Sequence, residues 1–92
     1  MINNIAISDH YAKRFRQRVA RTKRIEKFAK DAYMLGEEVD SVADKRFRKY
    51  LENIETRYWH TCSLRTHKGY IHVFDALTAT AITVYRVPNE YR

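Results

Sequence analysis

Cysteine is nearly absent from this 92-residue sequence, in which Cys62 is the only one. A single thiol cannot build an intramolecular disulfide framework, and it cannot supply the paired cysteines of a common structural zinc site. The N-terminal residues lack the basic segment and apolar run of a signal peptide, and no apolar run approaches the roughly 18 residues of a membrane span. These absences predict a protein of a reducing compartment, the cytoplasm, with no membrane as a partner.

Glycine and proline are scarce as well, with two copies and one copy. So few chain-breaking residues leave little room for linkers, and the sequence contains no internal repeat and no low-complexity tract. A chain of this length buries roughly 60% of the surface that its unfolded form exposes, which is enough for one core. We therefore expect a single domain over residues 1–92.

The motifs of most familiar enzyme classes are missing too. The sequence has no GxSxG motif, no glycine-rich phosphate loop and no HExxH motif. Its four histidines are irregularly spaced and have no paired cysteines beside them; they are His10, His60, His67 and His72. We expect no metal site and no other cofactor.

Acidic residues are absent from residues 10–24, and this local absence is the most informative one. The stretch reads HYAKRFRQRVARTKR and contains seven Lys or Arg residues. Since the formal net charge of the whole chain is +7, this stretch accounts for the entire excess. A concentrated positive charge of this kind indicates contact with a polyanion, most simply a nucleic acid.

The same stretch has the periodicity of an amphipathic helix. Ser8 stands just before it, where a helix N-cap residue is expected. Three apolar residues recur at four-residue spacing on one face and should pack on the core; they are Tyr11, Phe15 and Val19. Three polar residues with the same spacing form a strip beside that face; they are His10, Arg14 and Arg18.

The apolar pattern changes near Tyr58, from helical spacing before it to strand spacing after it. Before Tyr58, a second helix should begin after a Thr22 cap and end at Gly36. A third helix should begin after a Ser41 cap and run to about Arg57. Two or three helices therefore occupy the N-terminal part.

After the change in pattern we expect three strands, over about residues 59–67, 70–75 and 80–87. Lys68-Gly69 should turn the chain between the first two, because glycine accepts a positive φ. The last strand is almost wholly apolar or β-branched, which favours a central position in the sheet. A short segment around Ile5–Ile7 would add an edge strand. The predicted fold class is α+β, with two to three N-terminal helices packed on a C-terminal antiparallel meander of three to four strands.

The strip formed by His10, Arg14 and Arg18 has a specific chemical use. An imidazole exchanges a proton near neutral pH, and a guanidinium holds a phosphate through two parallel hydrogen bonds. Such a set can bind RNA and cleave it without a metal, by attack of the ribose 2′-hydroxyl on the neighbouring phosphate. A solvated basic face, whose arginine stems cover the edge of the core, explains the same residues without any chemistry.

A strand with alternating aromatic residues provides a second candidate surface. Tyr70, His72 and Phe74 share one strand face, on which a base would stack if no helix covered it. We favour the alternative in which this face packs under the first or third helix. In the last strand Thr83 and Tyr85 share a face, so their hydroxyl groups point together either into a pocket or towards solvent.

Several short motifs of the sequence resemble one family. They are Ile7-Ser8-Asp9-His10 followed by Arg14 and Arg18, then residues 68–74, and residues 82–85 near the end. This pattern resembles small phage and bacterial proteins related to the RelE-like toxins, within the group of metal-independent ribonucleases that includes barnase and the colicin nucleases. The resemblance implies a helical N-terminal part packed on an antiparallel sheet.

The resemblance also implies RNA cleavage, with a catalytic set made of His10, Arg14, Arg18 and Tyr85. The residues then expected to bind the nucleic acid around that set are Lys13, Arg16, Arg21, Lys23, Arg24 and His72.

Three functions stay open on these grounds. The first is RNA binding, with cleavage by a toxin-like endoribonuclease that needs no metal. The second is a non-catalytic module that binds nucleic acid, and the third is a phage-encoded accessory inhibitor that binds a host protein or ribonucleoprotein. RNA is the favoured nucleic-acid partner, a host or antitoxin protein is the alternative partner, and a homodimer would form by pairing of the last strand.

Overall fold

The chain folds into three helices and a four-stranded sheet in a computed structural model that describes residues 5–58 and 61–91. The helices are α1 (Asp9–Arg18), α2 (Ile25–Leu35) and α3 (Lys45–Arg57). The strands are β1 (Glu37–Glu38), β2 (Cys62–His67), β3 (Tyr70–Asp75) and β4 (Ala81–Arg86). Single turns of 3₁₀ helix lie at Val39–Ser41 and Asn89–Tyr91. The predicted α+β class is confirmed.

The sheet is fully antiparallel, with the strand order β1-β2-β3-β4. Lys68 and Gly69 turn the chain from β2 to β3 with φ values of 50° and 85°, which is the positive-φ geometry that suits a two-residue hairpin. The predicted central position of the last strand is wrong, because β4 stands at one edge. The predicted N-terminal edge strand is reduced to a single parallel bridge between Ile7 and Ala81.

Helices cover both faces of the sheet, and this arrangement explains why β4 is apolar on both sides. α1 and α2 pack on one face, and α3 packs on the other. The first core contains Ile5, Tyr11, Phe15, Ile25, Ala29, Ala32, Phe74, Ala81 and Val84. The second contains Val39, Val42, Leu51, Ile54, Cys62, Leu64, Ile71, Val73 and Val87.

Two predicted helix starts are wrong, and one is confirmed. Ser8 caps α1 as expected, because its Oγ accepts a hydrogen bond of 2.9 Å from the backbone N–H of Tyr11. α2 begins later than predicted, because Thr22 instead accepts a bond from the N–H of Arg24 in the preceding turn. α3 is capped by Asp44, whose carboxylate accepts from two backbone N–H groups of the first turn.

Gly36 ends α2 as predicted, and glycine suits this position because the chain passes close to the last turn of α2 and to β2. A Cβ at this position would lie 2.3 Å from the carbonyl oxygen of Ala32 and 2.9 Å from the Cβ of Arg65. The chain then pairs with β2 through Glu37 and Glu38. The predicted start of the first long strand, at residue 59, lies outside the described residues, and β2 begins at Cys62.

No helix in the described part of the chain has both the length and the apolar character needed to cross a membrane.

Candidate nucleic-acid interface

α1 presents its basic residues on the side that faces away from the sheet. Tyr11 and Phe15 are fully buried beneath the helix, as their spacing predicts. His10, Lys13 and Arg16 are exposed on the outer side. The helix therefore divides the sequence from residue 10 onward into a core face and a cationic face.

Arg18 is held at the edge of the sheet by two contacts. Its Nη1 donates a hydrogen bond of 2.7 Å to the carbonyl oxygen of Val84 in β4. The guanidinium carbon also lies 5.1 Å from the centre of the Tyr85 ring. Since Val84 packs under α1 while Tyr85 packs on the α3 side, the Arg18 side chain wraps around the outer edge of β4.

Tyr85 and Thr83 share the face of β4 that points towards α3, as predicted. They pair with Ile71 and Val73, which both belong to the core beneath α3. The hydroxyl of Tyr85 lies 3.0 Å from that of Tyr58 at the end of α3. Burial, followed by this hydrogen bond, raises the pKa of Tyr58 to about 12, so the Tyr58 hydroxyl stays protonated at neutral pH.

The four residues predicted to be catalytic are not gathered at one point. Arg18 contacts Tyr85, but His10 lies eight residues earlier on α1, which corresponds to about 12 Å along the helix axis. Arg14 is half-buried and donates a hydrogen bond of 2.8 Å to Oε1 of Gln17. Within residues 5–58 and 61–91, no hydrogen bond or ion pair is found for His10.

Two clefts flank the C-terminal end of α1, and cations line both. A cleft of about 580 Å³ is lined by Arg16, Gln17, Arg21, Thr22 and Lys23. A second cleft of about 350 Å³ is lined by Gln17, Arg18 and Arg86. Because Gln17 borders both clefts, the two clefts are neighbours on the surface. We call this pair of clefts the basic band, and its five cations are Arg16, Arg18, Arg21, Lys23 and Arg86.

No acidic residue lines the basic band, and an acidic side chain marks its boundary on one side. A neighbouring cleft of about 370 Å³ shares Arg16, Thr22 and Lys23 with the band but also contains Glu26. Lys13 and Arg24, both predicted to bind nucleic acid, are exposed near the band without lining its clefts.

Arg86 is the member of the band that the sequence prediction missed. It lies at the end of β4, far along the chain from α1. The available signal was strand alternation, since Arg86 is two residues from Val84 and so points to the face that α1 covers.

His72 does not belong to the interface, although it was predicted to contact nucleic acid. The aromatic face of β3 packs beneath α1 and α2, as the favoured alternative predicts, and only 4% of His72 is exposed. Its Nδ1 lies 2.8 Å from the hydroxyl of Tyr11. Burial lowers the pKa of His72 to about 4, so the ring is neutral at physiological pH.

The described residues contain no group of three or more His, Cys, Asp or Glu side chains placed to hold a metal ion.

No family model matches the chain, and no curated protein or solved structure is significantly similar to it.

Proposed function

We propose that the protein binds a nucleic acid through the basic band, with RNA as the favoured ligand. The observation that carries this proposal is a pair of neighbouring clefts whose lining residues include five cations and no acid. RNA is preferred over DNA because of the resemblance to the RelE-like proteins. The contacts would be made to phosphate groups, which are the same in every sequence, so we expect binding that does not depend on the base sequence.

The position of Arg18 suits it to phosphate binding. The hydrogen bond to Val84 and the stacking on Tyr85 fix the guanidinium, and no partner for its other N–H donors is found among residues 5–58 and 61–91. A side chain that is already ordered loses less conformational entropy when a ligand arrives. Arg18 would therefore act as a fixed anchor beside the exposed side chains of Arg16 and Arg21.

A purely structural role accounts for only part of the basic band. Arg16 and Arg18 lie in the last turn of α1, where positive charge offsets the negative end of the helix dipole. Arg21, Lys23 and Arg86 lie beyond the helix, yet they line the same two clefts. Convergence of these three on one surface supports binding of an anion that spans several cations.

RNA cleavage is a second candidate, and it depends on His10. This residue is exposed one helical turn from Arg14, so a phosphate held by Arg14 would lie within reach of its imidazole. The Tyr58 and Tyr85 hydroxyl pair lies on the α3 side of β4, away from the surface of α1 that carries His10 and Arg14. Cleavage would therefore need His10 alone as its proton acceptor.

The test is a binding titration of fluorescent single-stranded RNA in EDTA, repeated at several salt concentrations. We expect affinity to fall steeply with salt, because each phosphate contact releases counterions. The same mixtures, resolved on a gel, report cleavage, and products that disappear with His10→Ala would establish it. Absence of salt-dependent binding would overturn the proposal and favour a protein partner instead.

A further inference from the structure

A groove of about 740 Å³ lies at the end of the sheet where the β2–β3 turn projects. Its volume is within the range of clefts that hold small organic groups. α2, α3 and the C-terminal 3₁₀ turn all contribute to its walls. The residues on which the argument depends are Leu35, Glu37, Phe47, Lys68, Tyr70 and Tyr91.

Aromatic rings form much of the groove wall. The rings of Phe47 and Tyr91 are stacked, with centres 5.3 Å apart and planes inclined by 23°. Leu35 is 72% exposed at the rim, whereas the half-buried Tyr70 packs against the core on the α1 and α2 side of the sheet. Such a wall favours a flat aromatic group over a flexible polar one.

A few polar groups surround this aromatic wall. Glu37 offers a carboxylate that can accept a hydrogen bond from an exocyclic amino group, and Thr66 offers a hydroxyl. Lys68 is exposed at the turn and adds a cation at the rim. An aromatic wall with a few hydrogen-bonding groups and a nearby cation matches a nucleobase attached to a phosphate.

The groove begins where the basic band ends. Arg86 lines the band, and the next residue, Val87, lines the groove. Tyr70, which also lines the groove, is the strand partner of Arg86. Neighbouring strand residues point to opposite faces, so Arg86 lies on the α1 side of the sheet and the aromatic wall lies on the α3 side. A chain whose phosphates lie across Arg18 and Arg86 would reach the aromatic wall by passing round the end of β4.

We propose that this groove binds an unpaired base of a single-stranded nucleic acid whose backbone lies on the basic band. The inference rests on the proposed function and specifies its ligand as single-stranded. In a duplex the bases are stacked on each other and paired, so none can turn into the groove without breaking those contacts. The band alone would bind a duplex through its phosphates, whereas the groove adds affinity only for a single strand.

The experiment compares two matched substitutions, Leu35→Glu and Leu77→Glu. Leu35 is exposed at the groove, and Leu77 is 96% exposed in the β3–β4 turn at the opposite end of the sheet. Both changes alter the net charge equally, and neither disturbs a buried side chain. We expect Leu35→Glu to weaken binding of a single-stranded RNA about 10-fold and Leu77→Glu to leave it nearly unchanged.

A second variant, Tyr91→Leu, removes part of the aromatic wall and keeps the charge. It should weaken binding of the single-stranded RNA by about 5- to 100-fold and leave binding of the duplex of the same sequence unaffected. An RNA carrying the fluorescent base 2-aminopurine gives a direct readout, because stacking quenches its emission. The quenching should appear with the unaltered protein and be lost with Tyr91→Leu.

The outcomes separate the groove from the band. Equal effects of Leu35→Glu and Leu77→Glu, with no quenching of the base analogue, would overturn the groove proposal while salt-dependent binding by the band still stood. Absence of any salt-dependent RNA binding would overturn both. If Tyr91→Leu fails to fold, the comparison of the two exposed leucines decides alone.

Discussion

Arg18 of α1 closes the outer edge of the sheet by donating a hydrogen bond of 2.7 Å to the carbonyl oxygen of Val84. Two residues earlier on β4, the carbonyl oxygen of Ile82 accepts a hydrogen bond of 2.9 Å from the hydroxyl of Ser8, the N-cap residue of α1. An exposed edge strand tends to pair with another chain, and natural proteins block such edges with charged side chains. One residue of the basic band is therefore also a structural element of the fold.

Replacing Arg18 with alanine should cost about 1 to 2 kcal/mol of unfolding free energy, because a charge-assisted hydrogen bond to a half-buried carbonyl is lost. Urea denaturation measures this cost. The matched control is Arg14→Ala, since the hydrogen bond found for Arg14 within the described part of the chain is an exposed one to the nearby side chain of Gln17. The free energy of unfolding of this control should fall by less than about 0.5 kcal/mol.

The same substitution should also promote self-association. Without the Arg18 side chain, the backbone of β4 around Val84 is open to pairing with a second copy. Light scattering at increasing protein concentration should show a larger mean mass for Arg18→Ala than for Arg14→Ala. Equal masses for the two variants would show that Arg18 does not guard the edge.

The stability of the protein should depend on pH through His72. Burial lowers the pKa of this histidine from 6.5 to about 4 in the folded state. Between those values the unfolded chain binds the proton and the folded protein does not, so the free energy of unfolding falls as the pH falls through this window. The loss amounts to roughly 3 kcal/mol by pH 4.

Chemical denaturation at pH 7.5 and at pH 4.5 measures this effect. His72→Gln should flatten the dependence, because the titrating group is gone while the amide group can still form a hydrogen bond with the Tyr11 hydroxyl. His10→Gln is the control, since His10 is exposed, and it should keep the slope of the unaltered protein. A slope that survives His72→Gln would show that other groups dominate the acid sensitivity.

Gly36→Ala should destabilise the fold by about 1 to 3 kcal/mol, because the new methyl group would collide with the backbone of α2 and with β2. The comparison is Gly69→Asn in the hairpin turn. There φ is +85° and no atom lies within 4 Å of the position that a Cβ would occupy, so asparagine, which tolerates positive φ, should cost little. Equal losses for the two variants would contradict the close approach at Gly36.

Local signals in the sequence predicted much of the fold. The Ser8 cap, the Tyr11 and Phe15 core face and the Lys68-Gly69 turn each depend on residues near in sequence, and each is confirmed. The position of β4 was predicted wrongly for an identifiable reason. An apolar strand with both faces buried gives the same pattern whether strands pair along both of its edges or, as for β4, one long strand pairs along a single edge.

The candidate site was less accessible to sequence reasoning, because it depends on contacts between distant segments. The spacing of Arg14 and Arg18 predicted one strip, but only the fold shows that Arg18 is held by Val84 while Arg14 bonds to Gln17. Arg86 joins the band from 68 positions further along the chain than Arg18. His72 was predicted to bind nucleic acid because a strand pattern shows which residues share a face but does not show that helices cover both faces of this sheet.

The central claim is that the basic band, rather than the net charge of the protein, binds nucleic acid. Its most direct test is the salt dependence of RNA binding in two triple variants with the same charge. One is Arg16→Gln/Arg21→Gln/Lys23→Gln in the band, and the other is Lys45→Gln/Lys49→Gln/Arg57→Gln on α3. Each lowers the formal charge from +7 by three.

Each lost phosphate contact reduces the slope of log affinity against log salt by about 0.7 for a single strand. The band variant should therefore lose up to about 2 from that slope, while the α3 variant should keep the slope of the unaltered protein. Slopes that fall equally in the two variants, or that do not change in the band variant, would contradict the account.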